Sequence, residues 1–198
     1  MVFSSEMLDG DVPALGLDVG SNHTLAVNAK GQLFTWGVNI CGQCGVNNKG
    51  NEGKHILVGG LSDTRVKQVA CGDTHSLALD YEGNIFIWGN NNQGQLGNGK
   101  YKNIKYPYKL TNNIPSGDIK EISAKGNINI IINNEGKAYM WPTKDFYNEP
   151  VLDPVELPFT KRVILSISIG SNRLCFMWNR LCCVIVYSRC SFFFWESC

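Results

Sequence analysis

GDTHSLALDYEGNIFIWGNNNQGQLG, from Gly72 to Gly97, is the stretch that decides the fold. In an extended chain alternate side chains share a face, so His75, Leu77 and Leu79 lie on one side of the segment HSLAL and Ser76 and Ala78 on the other. Asp80 to Gly83 is turn chemistry, and Asn84 to Trp88 returns as a second strand. The stretch therefore predicts a β-hairpin. Its returning strand is apolar on both faces, Ile85 and Ile87 against Phe86 and Trp88, so sheets must cover it from both sides.

The same phrase stands 52 residues earlier as GSNHTLAVNAKGQLFTWGVNICGQCG, Gly20 to Gly45, with no gap and with 12 of 26 positions identical. All five glycine pairs recur, as do His23 with His75, Phe34 with Phe86 and Trp36 with Trp88. A weaker third copy follows at a shift of 53, in KGNINIIINNEGKAYMW (Lys125 to Trp141), where Ile128 replaces the histidine and Pro142 the glycine after tryptophan. Ahead of the hairpins the phrase VKQVACG (Val66 to Gly72) recurs as IKEISAK (Ile119 to Lys125) and ILSISIG (Ile164 to Gly170), which announces a fourth copy. That copy starts as GSNRLCFM and then leaves the pattern. A fixed period of this length marks repeated supersecondary units, and a short strand followed by an antiparallel hairpin, stacked sheet on sheet, describes β-propeller blades.

GDTHSLAL followed by WGxNxxGQLG resembles the repeat of the regulator of chromosome condensation family, whose members form seven-bladed propellers. The likeness covers roughly Leu15 to Met177; the second copy carries it best, and the first departs from it at Asp18 and Val19, where small residues are usual. The fold expected is all-β, an incomplete propeller of about three to four repeats of a seven-bladed ring. Its expected organisation is a lead-in at 1–14 and a partial propeller at 15–178, with units at about 15–65, 66–118, 119–162 and a broken 163–178. An atypical Cys- and Phe-rich tail at 179–198 completes it. Fewer than four units cannot close a seven-bladed ring, so raw blade faces are expected unless something else covers them.

The candidate positions of the repeat signature are Gly20, His23, Gly31, Trp36, Gly37, Gly42 and Gly45 in the first copy. In the second they are Gly72, His75, Gly83, Trp88, Gly89, Gly94 and Gly97. One motif in two copies predicts Trp36 and Trp88 in equivalent environments. A histidine that recurs with the fold reads as a hydrogen-bonding post, since a catalytic one need occur only once. His55 stands alone in the polar stretch NNKGNEGKH. Cys41 and Cys44 have the spacing of metal and redox pairs, but they align with Gln93 and Leu96 and no second pair exists within the repeats. Cys44 is expected as a small buried hydrophobe and Cys41 as incidental. No phosphate-cradling loop, nucleophile elbow or HExxH occurs. Catalytic, cofactor and metal residues are therefore expected to be none.

Lys100, Lys102, Lys105 and Lys109 alternate with Tyr101, Tyr106 and Tyr108 in GKYKNIKYPYKL, the one candidate contact for nucleic acid or a partner. The competing reading is a solvated connection between blades. Globally the 198 residues carry 18 Lys and Arg against 17 Asp and Glu, a net charge of +1, which excludes a large electrostatic field for polyanions. The acidic start MVFSSEMLDG is no signal peptide, so the eight cysteines, five of them in the last 28 residues, are read in a reducing compartment. After Gly170 neither Gly nor Pro occurs, and the apolar run Leu181 to Tyr187 falls short of the roughly 20 residues a membrane helix needs. The simplest account of the tail is a truncated or aberrant end of a longer reading frame.

These readings lead to a non-enzymatic protein-interaction module, with no cofactor and no membrane, in the cytoplasm or nucleus. The resemblance implies a range of partners. The founding member is a chromatin-bound exchange factor for the small GTPase Ran, and other members carry the propeller beside kinase or ubiquitin-ligase domains. The alternatives are thus guanine-nucleotide exchange on a Ran-like GTPase and chromatin or nucleic-acid binding through residues 99–110.

Overall fold

A computed structural model describes residues 13–47, 50–111, 114, 119–141, 143–144, 150–151, 153–157, 166–169, 173–178, 181–188 and 191–195. The described residues are organised as four antiparallel sheets of four strands each, with one small two-stranded ladder. The first blade is β1 (Ala14–Val19), β2 (His23–Asn28), β3 (Leu33–Val38) and β4 (Gly50–Leu57), paired in chain order. The second is β5 (Val66–Cys71), β6 (His75–Asp80), β7 (Ile85–Gly89) and β8 (Ile104–Lys109). The third pairs β9 (Ile119–Lys125), β10 (Ile128–Asn133) and β11 (Ala138–Trp141) with the two-residue β14 (Val155–Glu156). The small ladder, β12 (Thr143–Lys144) with β13 (Pro150–Val151), intervenes. No helix among the described residues is long and apolar enough to cross a membrane.

The first strands of successive sheets lie side by side, β1 by β5 and β5 by β9, so the sheets radiate from a common line as propeller blades do. The hairpin inside each blade is closed by one side chain at a repeat-equivalent position. Asn28 accepts the turn N–H groups of Lys30 and Gln32, Asp80 those of Glu82 and Asn84, and Asn133 that of Lys137. This is the local side-chain mimicry of a backbone turn for which Asn and Asp are suited.

The core lies between sheets rather than within any one of them. Leu77, Leu79, Ile85 and Ile87 of the second blade pack with Ile119, Ile122, Ile131 and Trp141 of the third. Ala78 and Trp88, on the opposite faces of the same strands, pack with Leu25, Val27, Leu33 and Val58 of the first. Strands apolar on both faces are thus covered on both sides.

Two features depart from the repeat's own logic. On β1, Leu15 and Val19 are 56% and 54% exposed, whereas Val69 and Cys71 are buried against the first blade. Cys71 is the repeat equivalent of Val19, and Val69 that of Leu17. No sheet of the described residues covers the β1 face. The second departure is that the repeat pattern ends near Trp178 but the strand pairing does not. β15 (Ser166–Ile169), β16 (Arg173–Trp178), β17 (Leu181–Ser188) and β18 (Ser191–Trp195) form a fourth sheet in chain order. In it Arg173 stands opposite Val186 and Trp178 opposite Leu181. Residues beyond 178, set apart by composition, supply two of the four strands, because pairing needs only backbone groups and β-forming side chains and not the repeat's glycines.

Candidate functional site

The residues that carry the repeat come together at the seams between blades. At the first seam, His23 Nε2 lies 2.8 Å from Ser76 Oγ in the second blade. Ser76 Oγ in turn donates to the Gln43 carbonyl of the first blade at 2.7 Å, and Trp88 Nε1–H donates to the same carbonyl at 2.9 Å. A hydroxyl has one proton, so Ser76 must accept from His23, which assigns the imidazole as the neutral Nε2–H tautomer. Position 76 of one blade therefore clasps both the histidine and the loop of the blade before it.

The second seam repeats this plan with a different residue. His75 Nε2 lies 2.7 Å from Asn129 Oδ1, and Asn129 Nδ2 donates to the Gln95 carbonyl at 2.7 Å. Asn129 occupies the position of Ser76 at the third copy's shift of 53. The buried Trp141 Nε1–H has no partner among the described residues, unlike that of Trp88. Both histidines are buried, with Nδ1 unpaired among the described residues. Burial holds each imidazole's pKa down at about 4, helped for His23 by the neighbouring His75 and opposed for His75 by its bond to Asn129. A histidine so held is a structural post at neutral pH rather than an acid or base.

The loops that enter the seams are shaped from within. Asn39 accepts the Cys44 N–H and donates to the Val46 carbonyl, and Asn91 accepts the Leu96 N–H. Gly45 and Gly97 have φ of 70° and 61°, and a Cβ would lie 2.9 Å from Trp88 Nε1 and 2.5 Å from Trp141 Nε1 respectively. Only glycine takes this conformation freely while letting the next blade's tryptophan approach. The other signature glycines have plainer placements: Gly31 and Gly83 in hairpin turns, Gly42 and Gly94 in the seam loops, Gly37 next to last in β3 and Gly89 last in β7, and Gly20 and Gly72 ahead of β2 and β6.

The two tryptophans are not equivalent. Trp88 is wholly buried against the first blade's loop, whereas Trp36 is only partly buried. The face on which Trp36 lies has no described neighbouring sheet to receive it.

Cys44 is buried and its Sγ lies 3.3 Å from the Val38 carbonyl, while Cys41 is half-buried with its N–H on Gln43 Oε1. Among the described residues no three His, Cys, Asp or Glu side chains come together as a metal site needs. Burial raises the thiol pKa of Cys44, and more so that of Cys71, whose N–H donates to Asp18 Oδ2 across the seam at 2.7 Å. Ser76, Asn129, Gln43, Gln95, Asn39 and Asn91 were not singled out from sequence, and Asp18 only as a departure from the repeat. The period did carry a signal for the pairs Asn39/Asn91 and Gln43/Gln95, which are identical at 52 residues.

The lysine and tyrosine segment is part connection and part strand: residues 99–103 lead into β8 (Ile104–Lys109), the outermost strand of the second blade. Lys100, Lys102, Lys105 and Lys109 are all exposed. The first three line a shallow cleft of about 410 Å³ together with Ile104 and Tyr108.

Two family models, both described as Regulator of chromosome condensation (RCC1) repeat, match the chain, one over residues 16–43 and 66–95 and the other over 30–79 and 82–131. The chain is 32% identical over 179 residues to the mitochondrial RCC1 domain-containing protein RUG3 of Arabidopsis thaliana, covering 83% of this chain and 40% of that protein. It is 32% identical over 131 residues to the X-linked retinitis pigmentosa GTPase regulator of Mus musculus, covering 66% of this chain and 13% of that one. Its fold matches that of Prp20p from Saccharomyces cerevisiae with a TM-score of 0.73 at 20% identity, over 93% of this chain and 46% of Prp20p. Prp20p itself has binding properties to Gsp1p and histones. The chain thus spans less than half the length of each of these proteins.

Proposed function

Because this chain belongs to the regulator of chromosome condensation repeat family, we propose that it is a non-enzymatic protein-interaction module, a propeller part whose exposed inter-strand loops hold a protein partner in the cytoplasm or nucleus. The observation that carries this reading is the occupation of the repeat's chemical groups. His23, His75, Ser76, Asn129 and Trp88 are buried and engaged in holding blade to blade, which leaves none of them free to act on a substrate. What remains for recognition is loop surface, and the fold does not name the partner.

A second reading, nucleotide exchange on a Ran-like GTPase, is favoured by the relative named a GTPase regulator. Exchange works by binding the nucleotide-free GTPase best, a matter of differential affinity that needs a complete docking face. The β1 face, which no sheet of the described residues covers, argues that this chain alone does not supply one. A fluorescent-GDP release assay on a Ran-like GTPase, run beside a binding measurement, separates the two. Release at the intrinsic rate is expected. A clearly faster rate would replace the interaction-module reading with the exchange-factor one.

A further inference from the structure

The region around β8 is electrically unlike the rest of the chain. Net charge is +1 overall, yet no Asp or Glu occurs between Glu82 and Asp118, and all four lysines of that interval fall within ten residues. Lys137 pairs with Glu135 at 3.3 Å, whereas among the described residues no carboxylate is paired with Lys100, Lys102, Lys105 or Lys109. Lysine on an outer strand has one ordinary use, which is to discourage edge-to-edge pairing, and Pro107 serves the same end. That use accounts for Lys105 and Lys109. It does not account for Lys100 and Lys102, which precede the strand.

Those two lysines sit on a loop whose backbone is held from beneath. Asn91, wholly buried, donates through Nδ2 to the carbonyls of Lys100 at 2.7 Å and Lys102 at 3.2 Å and to Asn98 Oδ1 at 3.1 Å. Its own N–H donates to Asn103 Oδ1 at 2.8 Å. The start of β8 is braced from the other side, where Gly42 of the first blade's loop packs against Lys105. Three ammonium groups are thereby carried around one cleft by a backbone already in place, so little loop ordering opposes an anion that binds there. Beside them Tyr101, Tyr106 and Tyr108 are 51%, 49% and 36% exposed. Of the three rings, Tyr108 is the one that lines the cleft.

We infer that the cleft of Lys100, Lys102, Lys105 and Tyr108 binds single-stranded nucleic acid, with phosphates on the lysines and bases against the exposed tyrosine rings. A positively charged groove with aromatic platforms is the general solution for strands bound without base-specific readout. An acidic polypeptide would use the lysines but has no need of an exposed ring among them, and Tyr108 supplies one in the cleft, which is why the nucleic acid is preferred.

The test is fluorescence anisotropy of labelled 12-residue oligo-dT and oligo-U with the full chain at low salt, with polyglutamate as competitor. Micromolar binding is expected, with a log–log salt slope of about −2 for three lysine contacts. Reversing Lys100, Lys102 and Lys105 together to Glu should weaken it at least ten-fold, and Tyr108→Ala about five-fold or more by loss of stacking. Lys125→Glu, on the exposed end of β9, should change it little. The variants' circular dichroism and unfolding midpoints must match the parent, and Lys→Gln replacements serve where charge reversal disturbs folding. No binding at low salt overturns the inference, as does binding indifferent to the lysine changes. Binding that polyglutamate displaces equally well and that Tyr108→Ala leaves unchanged overturns it in favour of an acidic peptide. GDP release is read separately, so failure here leaves the interaction-module reading standing.

Discussion

Acidification from about pH 6.5 towards 5 should loosen this protein, because two seams depend on uncharged histidines. In the folded chain His23 and His75 titrate at about 4, against an ordinary value of 6.5. Above pH 6.5 both states are neutral, and the histidines make no difference to stability. As pH falls below 6.5 the unfolded chain takes up protons that the fold refuses, so stability is lost with falling pH, with a slope that levels off only near pH 4. At pH 5 these two values give a loss of about 2 kcal/mol per histidine and about 4 kcal/mol for the pair. The structural cause is specific: a second proton would sit on Nδ1, which has no acceptor among the described residues around either ring. For a domain of typical stability, about 5–15 kcal/mol, that is a large share. Urea unfolding followed by tryptophan fluorescence, repeated from pH 7.5 to 5, should show the midpoint falling steadily. Replacing both histidines with Gln should lower stability at neutral pH and flatten this dependence. A parent midpoint unchanged over that range, or ring proton shifts titrating near 6.5 in the folded chain, would refute the burial argument.

Trp88→Ala should cost about 3–5 kcal/mol, the range for emptying a large aromatic site in a core, while Trp88→Phe should cost less because the ring volume is largely kept and mainly the Gln43 bond is lost. A denaturant midpoint that barely moves for Trp88→Ala would show that the first seam does not depend on it. Cys41→Ser should leave fold and partner binding unchanged, and metal analysis of the purified chain should find no stoichiometric zinc; one zinc per chain, lost in that variant, would reverse the reading of the Cys41 and Cys44 spacing.

The period of 52 residues determined by itself that each unit contains a strand and a hairpin, three of the four strands of a blade, and it marked the turns, since such features depend on residues close in the chain. Asn28, Asp80 and Asn133 close their turns through neighbours two to four residues away, so the sequence there contains both partners. The seams are another matter. His23 and Ser76 are 53 residues apart, and His75 and Asn129 are 54 apart. A repeat shows which positions are equivalent in each blade but not which face of one blade meets which face of the next. That pairing is settled only when the sheets stack, and with it the neutrality of both histidines and the Trp141 Nε1–H that has no partner among the described residues. Trp36 and Trp88 are alike in sequence and unlike in burial for the same reason, because an environment belongs to the neighbouring sheet and not to the motif. The lysines of 100–109 were visible as a charge cluster from the start. Their arrangement around a cleft followed from Asn91, whose buried amide fixes a loop nine to eleven residues further on.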